Sequence, residues 1–432
     1  MSDDYSENQK KVINEFLLNY FEYLNVKEFD YIVVSLFSFL AQSFANIFLP
    51  ELRKVSKAKI IIGGAGLTKL VSDPTYIGYG QELKNKNLID EFITGEAEEA
   101  LIQYFSTGSG PGIGNSNFIQ LDDLDRYPFP DYSEYDLSNY RTQDGSLELN
   151  IIGSRGCVRD CTFCDVRKTS PKYRFRSGKN IADEIIHHYE NYGVTDFYFA
   201  DSLVNGSYKA FDDMCNALTN YKFHKPISWS GQYIIRTKET TPKNHFDLLA
   251  ASGAKNLYVG IESGCDKIRF EIGKKFTNND IDFYLENFYK HNIKILFLFF
   301  TGYITETLDD YKETLKMFPR WQKFVASGTI IGVETLNLLS ILPGTHLESL
   351  AMNNNFVFKQ NDDNGHLNTK FWIDPGQPTY DYLERVKRHL GVMEEAIKYK
   401  WPVWNASISL NLIEQSLISF NNPKNRYIKL KG

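Results

Sequence analysis

Between residues 149 and 338 the chain repeats one pattern: a short apolar run, a polar loop, then an amphipathic helix. The runs are predicted as strands at 149–153, 196–200, 227–235, 256–261, 293–299 and 330–338. Helices are predicted at 180–192, 208–218, 278–291 and 307–318, with another capped by Thr241 and carrying Pro242 at its first position. Strands separated by helices pair in parallel, because hairpins join only antiparallel neighbours. Six such units suit a complete or partial parallel barrel, in which loops at the carboxyl ends of the strands build the site.

The first third reads as a smaller α/β unit. A helix is predicted at 7–23, a strand at 31–35, a helix at 41–55, strands at 59–64 and 91–94, and a further helix after Gly95. Ser35 and the run Gly63-Gly-Ala-Gly66 fall at carboxyl strand ends, where open α/β sheets bind ligands. The glycines either admit a ligand to the backbone or form a tight turn, and the turn is the favoured reading. Residues 107–117 have the composition of a linker. Tyr127-Pro-Phe-Pro-Asp-Tyr132 is extended, since each proline disfavours helix at the residue before it. The expected organisation is an α/β domain at 1–118, a linker at 119–145, the barrel at 146–350 and a C-terminal helical cap at 351–432. Lys370-Phe-Trp372, Trp401 and Trp404 are read as core of that cap.

A chain of 432 residues with 42% hydrophobic content can build two or three cores, and a net charge of −6 gives no general attraction to nucleic acid or membranes. The end from Lys424 to Lys431 is expected to be solvated. The N-terminus lacks a signal-peptide pattern, and the most apolar run, 293–300, is too short to span a bilayer. A cytoplasmic location is expected.

Cys157, Cys161 and Cys164 stand in Gly-Cys-Val-Arg-Asp-Cys-Thr-Phe-Cys, directly after the first barrel strand. They are three of only five cysteines. Three thiolates on one loop can hold three irons of a [4Fe–4S] cluster and leave the fourth open, whereas ferredoxin-type ligation uses four cysteines. Zinc with a fourth ligand is the alternative, although no histidine lies within the loop. Cys215 and Cys265 are read as packing residues, no disulfide framework is evident, and a reducing compartment fits.

The Cys157-x3-Cys161-x2-Cys164 loop, with Phe163 before its last cysteine, resembles the radical S-adenosylmethionine (radical SAM) enzymes. The likeness continues through Tyr173-Arg-Phe-Arg-Ser177 and Phe197-Tyr-Phe-Ala-Asp-Ser202. It extends to Gly260-Ile-Glu-Ser-Gly264, Thr301-Gly-Tyr-Ile-Thr-Glu-Thr307 and Leu342-Pro-Gly-Thr-His346, and together it covers about residues 31 to 346. The fifth-strand pattern departs by having Ile304 or Thr305 in the usual proline region. The resemblance implies a [4Fe–4S] cluster whose open iron chelates SAM, one-electron cleavage to a 5′-deoxyadenosyl radical, and hydrogen abstraction from a substrate. It also implies Phe163 beside the adenine and Glu262 and Ser263 at the ribose. Asp201 and Ser202 would stand at the methionine amino group or in the substrate cavity. Arg236 would pair with the SAM carboxylate, a surface salt bridge being its plain alternative. His346 is read as a loop residue.

Val33-Val-Ser-Leu36, Ile61-Ile-Gly-Gly-Ala-Gly66 and Thr94-Gly-Glu-Ala-Glu98 resemble the flavodoxin-like cobalamin-binding domain that precedes many radical SAM barrels. Ser35, Gly63 and Gly64 are its candidate cobalamin contacts. Two departures count against tight cobalamin binding. The first histidine of the chain is His187, so no cobalt-ligating histidine is present, and the unit lacks a first strand. With cobalamin the expected chemistry is methylation of an unactivated carbon; without it, rearrangement, cyclisation or oxidation. A methylthiotransferase is disfavoured because no cysteine precedes Cys157 to bind a second cluster. The competing reading is a non-catalytic or zinc-binding barrel. An electron donor such as a flavodoxin or ferredoxin is the implied partner, and the substrate is not legible.

Overall fold

A computed structural model describes residues 6–38, 40–67, 78–114, 118–141, 145–360, 367–421 and 426–429. It forms two compact units, Met1–Asp122 and Asp123–Gly432.

The first unit runs α1 (Glu7–Tyr23), β1 (Tyr31–Ser35), α2 (Leu40–Val55), β2 (Lys59–Gly63), α3 (Tyr79–Asn85), β3 (Glu91–Phe92) and α4 (Glu98–Thr107). A capping box between Ser6 and Gln9 starts α1. The strands form a three-stranded parallel sheet in the order β1-β2-β3, with Val33 opposite Ile61 and Ile61 opposite Glu91. Leu17 and Phe21 of α1, Leu49 and Leu52 of α2, and Ile60 and Ile62 of β2 share one core. At Gly64, with φ +108°, a Cβ would lie 2.6 Å from the Leu36 carbonyl oxygen. The Gly63–Gly66 loop is thus a close backbone crossing against the loop after β1, which accounts for the glycine as a turn.

The second unit begins with β4 (Glu148–Ile151), β5 (Ser154–Arg155), α5 (Val166–Thr169), β6 (Arg174–Phe175) and α6 (Gly178–Tyr192). It continues with β7 (Asp196–Phe199), α7 (Tyr208–Asn220), β8 (Ser228–Gln232), α8 (His245–Ala251), β9 (Ala254–Glu262), α9 (Asp266–Ile272) and α10 (Asn278–Lys290). Then come β10 (Lys294–Thr301), α11 (Leu308–Leu315), α12 (Met317–Ala326), β11 (Ile330–Leu338) and α13 (His346–Asn353). The chain closes with β12 (Val357–Gln360), β13 (Leu367–Ile373), α14 (Tyr382–Lys398), β14 (Val403–Trp404), α15 (Ala406–Phe420) and β15 (Arg426–Lys429).

Seven strands form one parallel sheet in the order β14-β11-β10-β9-β8-β7-β4. Alternate residues bury toward the helices: Leu149, Ile151, Phe197, Phe199, Trp229, Leu257, Val259, Ile295 and Phe297 join Ile181, Ile185, Phe211 and Phe288 in one core. Each side chain fully buried there contributes roughly 1.5–3 kcal/mol relative to exposure. The intervening residues, Tyr198, Tyr258, Leu298 and Glu334 among them, remain partly accessible on the other face. This is the partial parallel barrel predicted from the strand–helix repeat, with one strand more.

Three local expectations change. The helix after β8 starts at His245, because the Thr241 hydroxyl bonds the Thr237 carbonyl and Tyr284 and so does not cap a helix. The helix predicted at 307–318 is two helices meeting at Lys316. The C-terminal segment adds helices α14 and α15 as expected, while α13 starts earlier, at His346, which was read as a loop residue. The segment also supplies β14 to the barrel edge and a separate antiparallel sheet ordered β13-β12-β15. Part of the tail expected to be solvated, Arg426–Lys429, is therefore an edge strand; residues 422–425 and 430–432 lie outside the described residues. Among the described residues, no helix is long and apolar enough to cross a membrane.

Candidate active site

The cysteine loop leaves the barrel after β4 and is tied at both ends. At its base β5 pairs antiparallel with β6, Arg155 opposite Arg174. At its tip the Thr162 amide donates to the Ile272 carbonyl at 2.9 Å, and the Thr162 and Tyr303 hydroxyls lie 2.9 Å apart. The Leu347 amide donates back to the Thr162 carbonyl at 2.8 Å. Within the loop the Cys164 amide reaches the Cys161 carbonyl at 3.0 Å, a turn that carries both sulfurs to one side.

All three cysteines are free and line one cavity of about 310 Å³, together with Arg159, Phe163, Asp201, Ser202, Glu262 and Lys274. Burial pushes the Cys161 thiol up and the Cys164 thiol up to about 11. The Val166 amide bonds Cys164 and opposes that rise, and the Arg159 amide donates to Cys157 Sγ at 3.4 Å. Buried thiols ionise readily only beside positive charge, and amide N–H groups donating to sulfur stabilise metal-bound thiolates. Among the described residues no three His, Cys, Asp or Glu are gathered closely enough to share a single metal ion. Three cysteine sulfurs opening onto one cavity are donors of the type that iron–sulfur clusters take from a protein.

Asp201 stands where β7 ends. Its carboxylate accepts the Gly153 amide at 2.9 Å and the Ser154 hydroxyl, so it braces the entry of the cysteine loop. Burial raises its pKa to about 6 despite those bonds. Ser202 faces the cavity beside it.

Glu262 ends β9 at a bulge. Leu298 of β10 pairs with Gly260, yet the next residue, Phe299, pairs with Glu262. Glu262 takes the left-handed backbone, φ +61°, a rare conformation for a non-glycine residue that clusters at functional sites. The turn brings its carboxylate 2.8 Å from Lys274 Nζ. A Cβ at Gly260 would fall 2.3 Å from Glu262 Oε1 and 2.9 Å from Lys274 Nζ, so the pair needs glycine there. Burial works against the Lys274 ammonium, but Glu262 and the Cys161 sulfur outweigh it and hold its pKa above the ordinary range.

Two residues expected at the site point elsewhere. The Ser263 hydroxyl is 2.9 Å from that of Thr314 and accepts the Cys265 amide at 3.1 Å, outside the cavity. Arg236 donates to the Asn205 and Gly206 carbonyls at 2.9 and 2.8 Å, stacks 4.4 Å from the Tyr208 ring, and has no carboxylate partner among the described residues. Of the expected packing cysteines, Cys215 is in the main core, and Cys265 stands at the start of α9 in an apolar cluster that also contains Cys161.

Lys274 was not singled out from sequence. Its signal was a lysine just after a helix-stopping glycine, Gly273, in the loop following the Gly-Ile-Glu strand. Lys275 beside it shared that signal.

A second cavity of about 480 Å³ shares Phe163, Glu262 and Leu298 with the first. Its walls are largely apolar, and Phe163 meets Phe300 edge-to-face at 4.9 Å. In the first unit, Ser35 is exposed at the end of β1, and Gly63 and Gly64 begin the crossing described above.

Residues 151–318 match the family described as the Radical SAM superfamily. The chain is 25% identical over 283 residues to an uncharacterized methyltransferase of Pyrococcus horikoshii, covering 65% of this chain and 58% of the relative. It is 29% identical over 185 residues to cytidylyl-2-hydroxyethylphosphonate methyltransferase of Streptomyces wedmorensis, covering 39% and 33%. It thus spans less than two thirds of these relatives. In fold it is similar to the radical SAM methyltransferase TsrM of Kitasatospora setae, with a TM-score of 0.64 at 14% identity, covering 88% of this chain and 81% of that one. It is also similar to the cobalamin-dependent radical SAM enzyme OxsB, with a TM-score of 0.62 at 16% identity, covering 87% and 59%.

Proposed function

From the match of residues 151–318 to the Radical SAM superfamily, we propose that the chain is a radical SAM enzyme of the methyltransferase type, with a [4Fe–4S] cluster on Cys157, Cys161 and Cys164 and SAM in the adjoining cavity. The observation that carries this reading is that all three sulfurs, Glu262 and Lys274 open onto one space at the carboxyl ends of the barrel strands. A cluster of this kind with SAM supplies one-electron cleavage of the sulfonium C–S bond and a 5′-deoxyadenosyl radical.

The protein's share is binding and orientation. Lys274 supplies a buried positive charge next to the sulfurs, suited to the carboxylate of the methionine portion. Glu262 accepts hydrogen bonds from ribose hydroxyls while staying neutralised by Lys274. Phe163, which lines the cysteine cavity, offers its ring to an adenine. Asp201 acts by holding the cysteine loop at Gly153 and Ser154.

Methyl transfer is favoured over other radical outcomes because two of the relatives are named methyltransferases and the neighbouring folds are cobalamin-dependent or methyltransferase enzymes. Cobalamin in this chain would lack an imidazole from the first unit, whose sequence contains no histidine.

Anaerobic reconstitution tests the reading. About four irons per chain, an EPR signal perturbed by SAM, and 5′-deoxyadenosine on reduction are expected, each lost when Cys161 is replaced by alanine. Stoichiometric zinc without 5′-deoxyadenosine would replace it with the non-catalytic barrel. An absorption spectrum after adding hydroxocobalamin separates the cobalamin-dependent branch from the cobalamin-free one.

A further inference from the structure

Two carboxylates face the larger cavity, Glu262 and Glu334. Glu262 is matched by Lys274. Glu334, on β11, has no cation at ion-pair distance among the described residues. Its partner there is the Asn405 side-chain amide, 2.8 Å from Oε1. Asn405 itself is exposed and does not line the cavity. Asn405 is held at φ +57° at the start of α15, and its neighbour Trp404 is pinned through Nε1 to the Ile331 carbonyl at 2.9 Å.

Leu298, Phe299, Leu338 and Leu339 line the same cavity, with Ser340 as a further polar residue. A partly accessible carboxylate facing a largely apolar cavity, with no cation beside it, attracts a cationic group in preference to an anion or a hydrocarbon.

We propose that the Glu334 end of this cavity is a substrate subsite for a protonated amine carried on an apolar body. The inference rests on the assignment of SAM to the cysteine end, which leaves the Glu334 end for the substrate. Glu334 sets specificity there: it draws an ammonium group and repels a carboxylate in the same position.

The test uses the cluster-reconstituted protein, saturated with SAM and without reductant. Three probes of similar shape are compared by equilibrium dialysis: 2-phenylethylammonium, 2-phenylethanol and 3-phenylpropanoate. The amine is expected to bind at least about tenfold more tightly than the alcohol, with the carboxylate weakest. In Glu334→Gln the preference of amine over alcohol is expected to fall below about twofold. Equal affinities for amine and alcohol in the wild-type protein overturn the proposal without any variant, so a poorly folding Glu334→Gln leaves it falsifiable. A preference that survives Glu334→Gln also overturns it, as does displacement of SAM by the amine, which would assign Glu334 to the cofactor. Formation of 5′-deoxyadenosine is scored separately under reductant. Cleavage without amine preference sinks the subsite alone, and amine preference without cleavage sinks the enzymatic reading.

Discussion

Glu306 and Arg388, separated by 82 residues of chain, meet in a buried ion pair with Oε2 3.1 Å from Nη1. The Tyr380 hydroxyl donates to the same carboxylate oxygen at 3.1 Å, and Arg388 also reaches the Glu306 carbonyl. Glu306 ends the loop after β10 and Arg388 lies on α14, so the pair locks the C-terminal segment to the barrel. Beside it the buried Arg385 guanidinium stacks 3.6 Å from the Trp372 ring.

Removing one member of such a pair leaves the other charge buried without its counterpart. Arg388→Met is expected to cost about 3–5 kcal/mol in urea unfolding. The double variant Glu306→Gln/Arg388→Met should recover part of that loss, because no ionised partner remains behind. Strictly additive losses would contradict the clamp.

Gly260→Ala tests the close approach beneath Glu262. The added methyl would fall within 2.3 Å of the carboxylate, at the far end of a side chain that can move. The variant should therefore fold, with an unfolding midpoint near that of the wild-type protein, and reconstitute its iron. Its SAM affinity should drop at least about tenfold, because Glu262 and Lys274 are pushed apart. A variant that binds SAM normally would show that the pair is not part of the site.

Lys274→Met separates cluster binding from cofactor binding. Iron content should match the wild-type protein, since Lys274 is not among the three cysteines. The dissociation constant for SAM should rise at least about thirtyfold, the lower end of about 2–5 kcal/mol for truncating a buried hydrogen-bonded charge pair. Dialysis of radiolabelled SAM measures it.

Acid should destabilise the fold through two buried histidines. Burial lowers the pKa of His245 and of His389 to about 4 from an ordinary 6.5. Both hold neutral hydroxyl partners: Tyr233 for His245, and Thr301 and Ser409 for His389. Between pH 6.5 and 4 the unfolded chain binds protons that the folded chain does not. The stability they confer is present above 6.5 and is lost as pH falls through that window. Each is expected to contribute about 2 kcal/mol of lost stability by pH 5. Urea unfolding at pH 7 and 5 checks this, and His389→Gln should roughly halve the difference.

Much of the fold was legible along the chain. The helix Glu7–Tyr23 and the strands Tyr31–Ser35 and Ile330–Leu338 fall where apolar periodicity put them. Such segments bury one face or both, and their pattern is written into consecutive residues. The seventh barrel strand was not legible. Val403–Trp404 is two residues long, and it is a strand because β11 offers it an edge. The same holds for Arg426–Lys429, which reads as a polar tail until β12 pairs with it.

The sequence by itself determined that three cysteines share one loop after the first barrel strand, because their spacing is local. Tertiary structure alone decided which other side chains share the cavity with them. A one-residue bulge and a left-handed backbone turn Glu262 inward while its neighbour Ser263 faces Thr314, and a helix stop at Gly273 delivers Lys274 rather than Arg236 beside the sulfurs. Side-chain direction at a strand end depends on register with the next strand and on what packs behind it. Both are contacts between residues far apart in the chain, so the motif named the strand end and the fold chose the groups that meet there.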